Sequence, residues 1–221
     1  HLQHSLTTFK LGDIEVLGNS ILSKEEVLSL CGLEKGAQLI SIKPPDVVSR
    51  LRESPYIRSV SAVRSLPSRL RIVIEERNPV AFIHGRGLNL IDSDGMLIPV
   101  PESNYRWNLP YISGISESLG ELGSTTISEK ALKGVEVLNY LNFMSSPLKD
   151  LIGEVKIVKP DLLQLRLVRG GAKVFVTVGN YQENLFVLTE YVEKYLNYEA
   201  LHDIEYLDVR FANQLIIKEH N

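Results

Sequence analysis

The sequence predicts an α+β protein made of two successive units. The first is a small β-α-α-β-β unit, and the second is a larger antiparallel β unit with two helices, because apolar residues alternate in some segments and recur every three to four residues in others. Residues 1–78 carry a net charge of +2 (eleven basic, nine acidic), whereas residues 79–221 carry -5 (thirteen basic, eighteen acidic). Asn78-Pro79 marks the boundary, since a residue before proline is pushed away from helical backbone angles. The predicted organisation is an arm at 1–8, the first unit at 9–78, the second unit at 79–218 and a tail at 219–221.

The composition is that of a globular protein with enough chain to bury a core. The 221 residues are 44% hydrophobic and 23% charged, with a formal net charge of -3, which disfavours disorder and a dedicated nucleic-acid binder. Cys31 is the single cysteine, so a disulfide framework and a multi-thiolate metal site are excluded. The sequence has no apolar run of about 18 residues that could span a bilayer and opens at His1 without a signal-peptide pattern. We therefore expect it to be a fragment, or a mature form, of a longer protein.

The first unit opens with a strand. Phe9 and Leu11 alternate, and Ile14 and Val16 alternate in the opposite phase, which indicates a bulge or kink near Gly12.

A short capped helix follows this strand. The segment Ser23–Glu26 has the spacing of a capping box, and Leu22 and Val27 occupy the staple positions around it. Gly32 is predicted to end the helix.

A second helix and a hairpin complete the first unit. Pro44 and Pro45 suit a helix start, and Pro55 ends the helix, whose apolar stripe is Val47, Val48 and Leu51. The hairpin turns at 65–68, and its two strands each alternate in polarity, with one face formed by Val60, Ala62 and Arg64 and by Leu70, Ile72 and Ile74.

The second unit begins with another hairpin. Two apolar runs, at 88–92 and 96–100, flank the turn dipeptide Asp94-Gly95. The letters DSDG also begin like a calcium-binding loop, but the ligand series would need an oxygen donor at Met96 and a glutamate at Ser103. A hairpin turn is therefore predicted.

The remainder of the second unit is predicted as a loop, two helices and five strands. Residues 100–125 are rich in Pro, Gly, Ser and Asn and indicate mostly loop. Thr126–Glu129 has capping-box spacing and opens a helix with the stripe Leu132, Val135, Leu138 and Leu141. A later helix, after Gly179-Asn180, carries Leu185, Leu188, Val192 and Tyr195. The strands are predicted at 152–158, 162–168, 172–178, 204–211 and 215–218, the last two forming a hairpin around Ala212-Asn213.

No group of residues has the pattern of an active site or a metal site. The histidines, which are His1, His4, His84, His202 and His220, form no H-E-x-x-H motif. Gly114–Ser118 starts like a nucleophile elbow but lacks the closing glycine, and Cys31 ends a predicted core helix, where an inert buried thiol is the common state. The sequence therefore predicts no enzyme, no cofactor and no metal.

The first unit is locally basic. We expect its arginines to form a solvated outer surface, the alternative being a patch for acidic partners or lipid headgroups; they are Arg50, Arg52, Arg58, Arg64, Arg69 and Arg71.

A series of motifs runs through the first unit in a fixed order. A V-x-G-N strand end, a serine-started helix and a G-x-x-L stretch precede a strand pair and an E-R-x-P-x-A segment. Together they resemble the POTRA domain of the bacterial division proteins FtsQ and DivIB, from which Val60 and Ala62 depart by exchanging small and branched residues. The matching positions are Val16, Gly18, Asn19, Ser23, Gly36, Leu39, Pro55, Ile57, Arg64, Pro67, Leu70, Ile72, Glu76, Arg77, Pro79 and Ala81.

The second unit is similar to the larger C-terminal β domain of the same family. The resemblance rests on L-I-D-x-x-G from Leu90, the NLPYISG stretch, the strand before Gly179 and Y-L-D-V-R-F from Tyr206, and it covers about residues 9–218. Residues 101–107 and 144–151 match no pattern. The family's cytoplasmic tail and single membrane helix have no counterpart here, so the resemblance implies an extracytoplasmic fragment of a single-pass protein of the inner (cytoplasmic) membrane, at the division septum.

The last strand is the expected binding site. Such a strand pairs on one side only unless another strand covers it, and an open edge accepts a strand from a partner. In the FtsQ/DivIB family the final strand and the preceding segment dock a partner of the FtsB/FtsL membrane pair in this way. The resemblance implies a carboxylate contact for Arg210, an apolar anchor at Phe211 and a second contact from the helix at 184–196. The implied contact residues are Tyr206, Arg210, Phe211, Asn213, Leu215, Ile216, Ile217 and Lys218.

The predicted function is a non-catalytic scaffold of the bacterial division machinery that recruits or regulates partner division proteins. The alternative is a POTRA-bearing chaperone or transport component of outer-membrane protein assembly or secretion. That class requires a long run of alternating strands after its POTRA units, which the helices of the second unit disfavour. A periplasmic hydrolase would require the catalytic residues that the sequence lacks.

Overall fold

The computed structural model describes residues 13–33, 42–65, 69–102, 107–195, 200–212 and 214–220. The chain divides into two compact units, one containing residues 1–77 and 101–105 and the other residues 78–100 and 106–221. Several positions named above lie outside the described residues, namely the arm at 1–8, Phe9, Leu11, Gly12, Gly36, Leu39, the hairpin tip at 66–68 and Asn213.

The first unit is a three-stranded sheet with two helices. Its elements are β1 (Asp13–Leu17), α1 (Lys24–Cys31), α2 (Pro44–Arg52), β2 (Ile57–Ser65) and β3 (Arg69–Glu76). The described strands follow the order β1-β3-β2, with β1 parallel and β2 antiparallel to the central β3. The predicted element order and hairpin are confirmed. The apolar core comprises Leu22, Val27, Cys31, Ile42, Val47, Leu51, Ile57, Val60, Leu70, Ile72 and Ile74.

The ends of α1 confirm the predicted caps. Ser23 Oγ accepts from the Glu26 amide at 3.2 Å, and Glu26 accepts from the Ser23 amide at 2.7 Å, so both members of the capping box are formed. Gly32 ends the helix in the left-handed conformation.

Glu76 and Gly18 join the loop before α1 to β3. The Glu76 carboxylate accepts from the backbone amides of residues 20, 21 and 22 at 2.7–2.9 Å. Gly18 has φ +83°, and a Cβ there would lie 2.0 Å from the Ile74 carbonyl oxygen. The close approach therefore requires glycine at this position.

The second unit is one large sheet covered on one face by helices. Its strands are β4 (Pro79–His84), β5 (Leu88–Asp92), β6 (Leu97–Pro99), β7 (Tyr111–Ser113), β8 (Ile152–Lys159), β9 (Leu162–Leu167), β10 (Lys173–Thr177), β11 (Ile204–Asp208) and β12 (Ile216–Glu219). In the described part of the chain these nine strands follow the order β12-β11-β10-β9-β8-β7-β4-β5-β6. The helices are α3 (Glu129–Phe143), the short α4 (Leu148–Leu151) and α5 (Tyr181–Tyr195).

The sheet is mixed, which corrects the expectation of an antiparallel domain. β4 pairs parallel to β7, β7 to β8, and β10 to β11. For two of these pairs the physical reason lies in the connections. The chain passes through α3 between β7 and β8 and through α5 between β10 and β11, and a helical crossover returns the chain in the same direction.

The start of α3 also differs from the prediction. Its N-cap is Ser128, whose Oγ accepts from the Ala131 amide at 3.1 Å, so the capping box predicted at Thr126–Glu129 is wrong. Thr126 Oγ1 instead donates to the Leu119 carbonyl at 2.7 Å. Leu132, predicted in the apolar stripe, is 39% exposed, and the buried residues of α3 are Ala131, Gly134, Val135, Val137, Leu138 and Leu141.

Candidate partner-binding edge

β12 forms one edge of the nine-stranded sheet. All four of its residues are exposed, and within the described ranges the strand pairs on one side only, with β11. The His220 amide donates to the Asp203 carbonyl at 2.7 Å. Since backbone groups alternate in direction along an antiparallel strand, those of Ile217 and Glu219 point away from β11. This side of β12 therefore presents donors and acceptors to solvent.

The opposite edge of the sheet, at β6, is covered by the chain itself. The Leu97 amide donates to the Ser124 carbonyl at 3.0 Å, and the Gly123 amide donates to the Leu97 carbonyl at 2.8 Å. Met96 and Thr125 form a further antiparallel bridge. Coverage by a loop is one of the ways in which proteins block an edge from pairing with another chain.

Tyr206 lies beside Lys218 of the edge strand. Lys218 Nζ sits 5.7 Å from the centroid of the Tyr206 ring and 2.7 Å from a Glu205 carboxylate oxygen. The hydrogen bond from Lys218 lowers the pKa of Glu205. The face of β12 next to Tyr206 thus combines an aromatic ring with a lysine whose charge is balanced by Glu205.

Arg210 is bound within its own chain. Its Nε donates to Asp208 Oδ1 at 2.8 Å and its Nη2 donates to Oδ2 at 2.6 Å, a bidentate pair. The side-chain hydrogen bonds raise the pKa of Arg210 and lower that of Asp208. The guanidinium carbon also lies 5.6 Å from the Phe175 ring centroid and 5.9 Å from that of Phe211. Asp208 therefore holds Arg210 close to two aromatic rings. Contact of Arg210 with a partner carboxylate stays a prediction.

Phe211 is 49% exposed and lines a groove of about 530 Å³. The groove continues along α5, where Phe186 is 58% exposed, as the expected contribution of the 184–196 helix requires. Its lining residues are Tyr140, Gln182, Glu183, Asn184, Phe186, Val187, Phe211 and Ala212.

The remaining predicted contact residues differ in accessibility. Ile216, Ile217 and Lys218 are exposed, whereas Leu215 is half-buried and packs against the core. Asn213 lies outside the described residues. The structure also places Phe175 beside Arg210, a contact that sequence reasoning missed. The signal for the Asp208–Arg210 pair was present, because residues two apart on an extended chain lie on the same face.

The candidate chemical groups lie apart from this edge. Cys31 is buried, and burial raises the pKa of its thiol to about 11. In the described part of the chain no three His, Cys, Asp or Glu side chains are placed to hold a metal ion. Of the helices that the structure describes, not one combines the length and apolar character needed to cross a bilayer.

Family models match both units. The model "POTRA domain, FtsQ-type" matches residues 9–77, and the model "Cell division protein FtsQ/DivIB, C-terminal" matches residues 81–210. The second match alone covers more than half of the chain.

Curated proteins similar to this chain carry matching names. A cell division protein FtsQ from Geobacter sp. (strain M21) is 28% identical over 217 residues, covering 96% of this chain and 77% of the relative. The FtsQ of Geotalea daltonii is 26% identical over 215 residues, with 96% and 77% covered. A cell division protein DivIB from Clostridium acetobutylicum is 24% identical over 208 residues, with 93% and 81% covered.

Proposed function

The chain belongs to the FtsQ/DivIB family of cell division proteins, and from this premise we propose that it is a non-catalytic scaffold of the division machinery. It recruits or regulates FtsB/FtsL-like division proteins from the extracytoplasmic side of the inner (cytoplasmic) membrane, at the septum. Its C-terminal edge accepts a strand from the partner.

The observation that carries this proposal is the contrast between the two edges of the second-unit sheet. The β6 edge is covered by residues 123–125, whereas the outward backbone groups of Ile217 and Glu219 have no strand opposite them among the described residues. An exposed edge is an aggregation hazard that proteins usually block. An edge that is left open while the opposite edge is closed is therefore best explained by a partner strand.

The side chains beside β12 supply selectivity. Phe211 offers an exposed aromatic anchor at the mouth of the α5 groove, and Arg210 is held rigid by Asp208, so little conformational entropy is lost when a partner contacts it. The outer-membrane assembly alternative is not favoured, because the match at 81–210 is to the C-terminal domain of division proteins.

The test is binding of this chain to the extracytoplasmic part of an FtsB-like protein from the same organism, measured by calorimetry. Phe211→Ala is expected to weaken binding by about tenfold or more, and Arg210→Gln by about tenfold. Phe143→Ala is the matched control, because Phe143 is also an exposed phenylalanine but does not line the groove. Tight binding that all three variants retain would refute the proposed site, and no binding by the parent chain would refute the proposed partner.

A further inference from the structure

The face of the second-unit sheet opposite its helices carries a row of aligned side chains. A Cβ added at Gly134 of α3 would lie 2.6 Å from the Ile112 side chain, so α3 packs on the Ile112 face of β7. Tyr111 and Ser113 point to the opposite face, because successive side chains of a strand alternate. Strand pairing continues this row in register through Lys218, Tyr206, Lys173, Arg166, Glu154 and Tyr111.

Two cations lie directly opposite each other in this row. Lys173 of β10 pairs with Arg166 of β9, which places their Cβ atoms about 5 Å apart. Like charges in such a cross-strand position destabilise a sheet. Glu154 lies on the other side of Arg166, with its Oε2 atom 3.2 Å from Arg166 Nε. It therefore relieves only part of the repulsion between Arg166 and Lys173.

A third cation lies diagonally from this pair. Lys156 is opposite Gln164, two residues from Arg166 along β9. Lys156 and Lys173 are both exposed, and neither forms a salt bridge with a residue that the structure describes, although the charge of Lys173 contributes to the lowered pKa of nearby Glu205. We call Lys156, Arg166 and Lys173 the basic face.

Aromatic rings flank the basic face on both sides. Tyr111 is 47% exposed and stacks on Phe82 with ring centroids 5.2 Å apart. Tyr206 and Phe175 meet edge to face at 5.6 Å on the other side. Protein–protein interfaces are enriched in aromatic residues and in arginine.

We propose that the basic face binds an acidic segment of a partner protein, a contact separate from strand addition at β12. One carboxylate of the segment lies between Lys173 and Arg166 and offsets their repulsion, and a second contacts Lys156. The apolar residues of the segment pack on Tyr111 and Tyr206.

The surroundings favour a peptide over an anionic membrane or a uniform polyanion. Glu154, held by Ser113 at 2.6 Å and by Arg166, places a fixed negative charge within the row. A surface of continuous negative charge would be repelled there, whereas a peptide can place a neutral residue opposite Glu154.

The experiment uses this whole chain and a synthetic end-blocked peptide in which glutamate alternates with serine and tyrosine, at low ionic strength. Binding is measured by fluorescence anisotropy. The double variant Lys156→Gln/Lys173→Gln is expected to weaken binding about tenfold, and added salt is expected to weaken binding of the parent chain. The control is Lys43→Gln/Lys149→Gln, which changes net charge equally at exposed lysines that lie off the basic face.

Thermal unfolding supplies a second readout. Because Lys173→Gln removes a like-charge contact, it is expected to raise the Tm by about 1–2 °C while it weakens peptide binding. Equal loss of binding in the control variant, or no binding by the parent chain, would overturn the proposal. Binding to vesicles of anionic phospholipid but not to the peptide would overturn it in favour of a lipid surface.

Discussion

Gly134 is a residue at which helix propensity and packing act in opposite directions. Within α3 a change from glycine to alanine should favour the helix by about 1 kcal/mol. The glycine is buried, however, and the new Cβ would lie 2.6 Å from one carbon of the Ile112 side chain and 3.1 Å from another. Forcing extra volume into a packed site costs about 1–3 kcal/mol.

We therefore expect Gly134→Ala to lower the free energy of unfolding by about 1 kcal/mol, measured by urea denaturation. Asn142→Ala in the same helix is the control, since Asn142 is exposed and its replacement should change stability by less than about 0.5 kcal/mol. A more stable Gly134→Ala variant would mean that α3 does not approach β7 as closely as described.

A hydrogen bond joins two helices of the second unit. The Tyr181 hydroxyl of α5 donates to Glu136 Oε1 of α3 at 2.8 Å. Burial of the phenol is the larger cause, and its hydrogen bond to Glu136 the second, of a rise in the pKa of Tyr181 to about 12. Because this pKa lies above the unfolded value of about 10, the stabilisation is complete below pH 10 and is lost as pH rises towards 12.

The prediction is that the parent chain is more stable than Tyr181→Phe at neutral pH by about 1 kcal/mol. The difference should shrink above pH 10. Urea denaturation of both proteins at several pH values measures it, and a difference that stays constant up to pH 11 would contradict the role given to the phenol.

In the edge strand β12, the backbone groups that point outward can be changed without changing those bonded to β11. Proline at position 217 removes an outward N–H but no bond to β11, and edge strands tolerate proline of this kind. We expect Ile217→Pro to abolish binding of an FtsB-like partner while unfolding of the free chain changes by less than about 1 kcal/mol. Ile217→Thr keeps the N–H and should bind within about threefold of the parent chain. Equal binding by the proline variant would exclude strand addition at this edge.

Local signals predicted the elements well, and pairing between distant elements less well. Ser23, Glu26 and Gly32 determine α1 through contacts within the same turn, so their spacing was sufficient. The strand β4 was not predicted. The three-residue strand β7 was missed inside a loop rich in Pro and Gly, because its strand character comes from pairing with β4 and β8 on either side. The helices between the predicted strands did contain the signal for parallel pairing.

The candidate site shows the same division. The order of residues in the last strands was enough to predict which of them lie near the edge. The contact between Arg210 and Phe175 and the exposure of Phe186 depend instead on how β10, β11 and α5 pack. The contact residues themselves come from a family resemblance and stay predictions until binding is measured.

For the whole molecule, the central claim is that β12 is the open edge through which a division partner adds a strand. Hydrogen exchange of the free chain and of its complex with the extracytoplasmic part of an FtsB-like protein tests it directly. The amides of Ile217 and Glu219 should exchange quickly in the free chain and become protected in the complex, whereas the His220 amide, already bonded to Asp203, should be protected in both. Fast exchange at Ile217 and Glu219 in a saturated complex would contradict the claim.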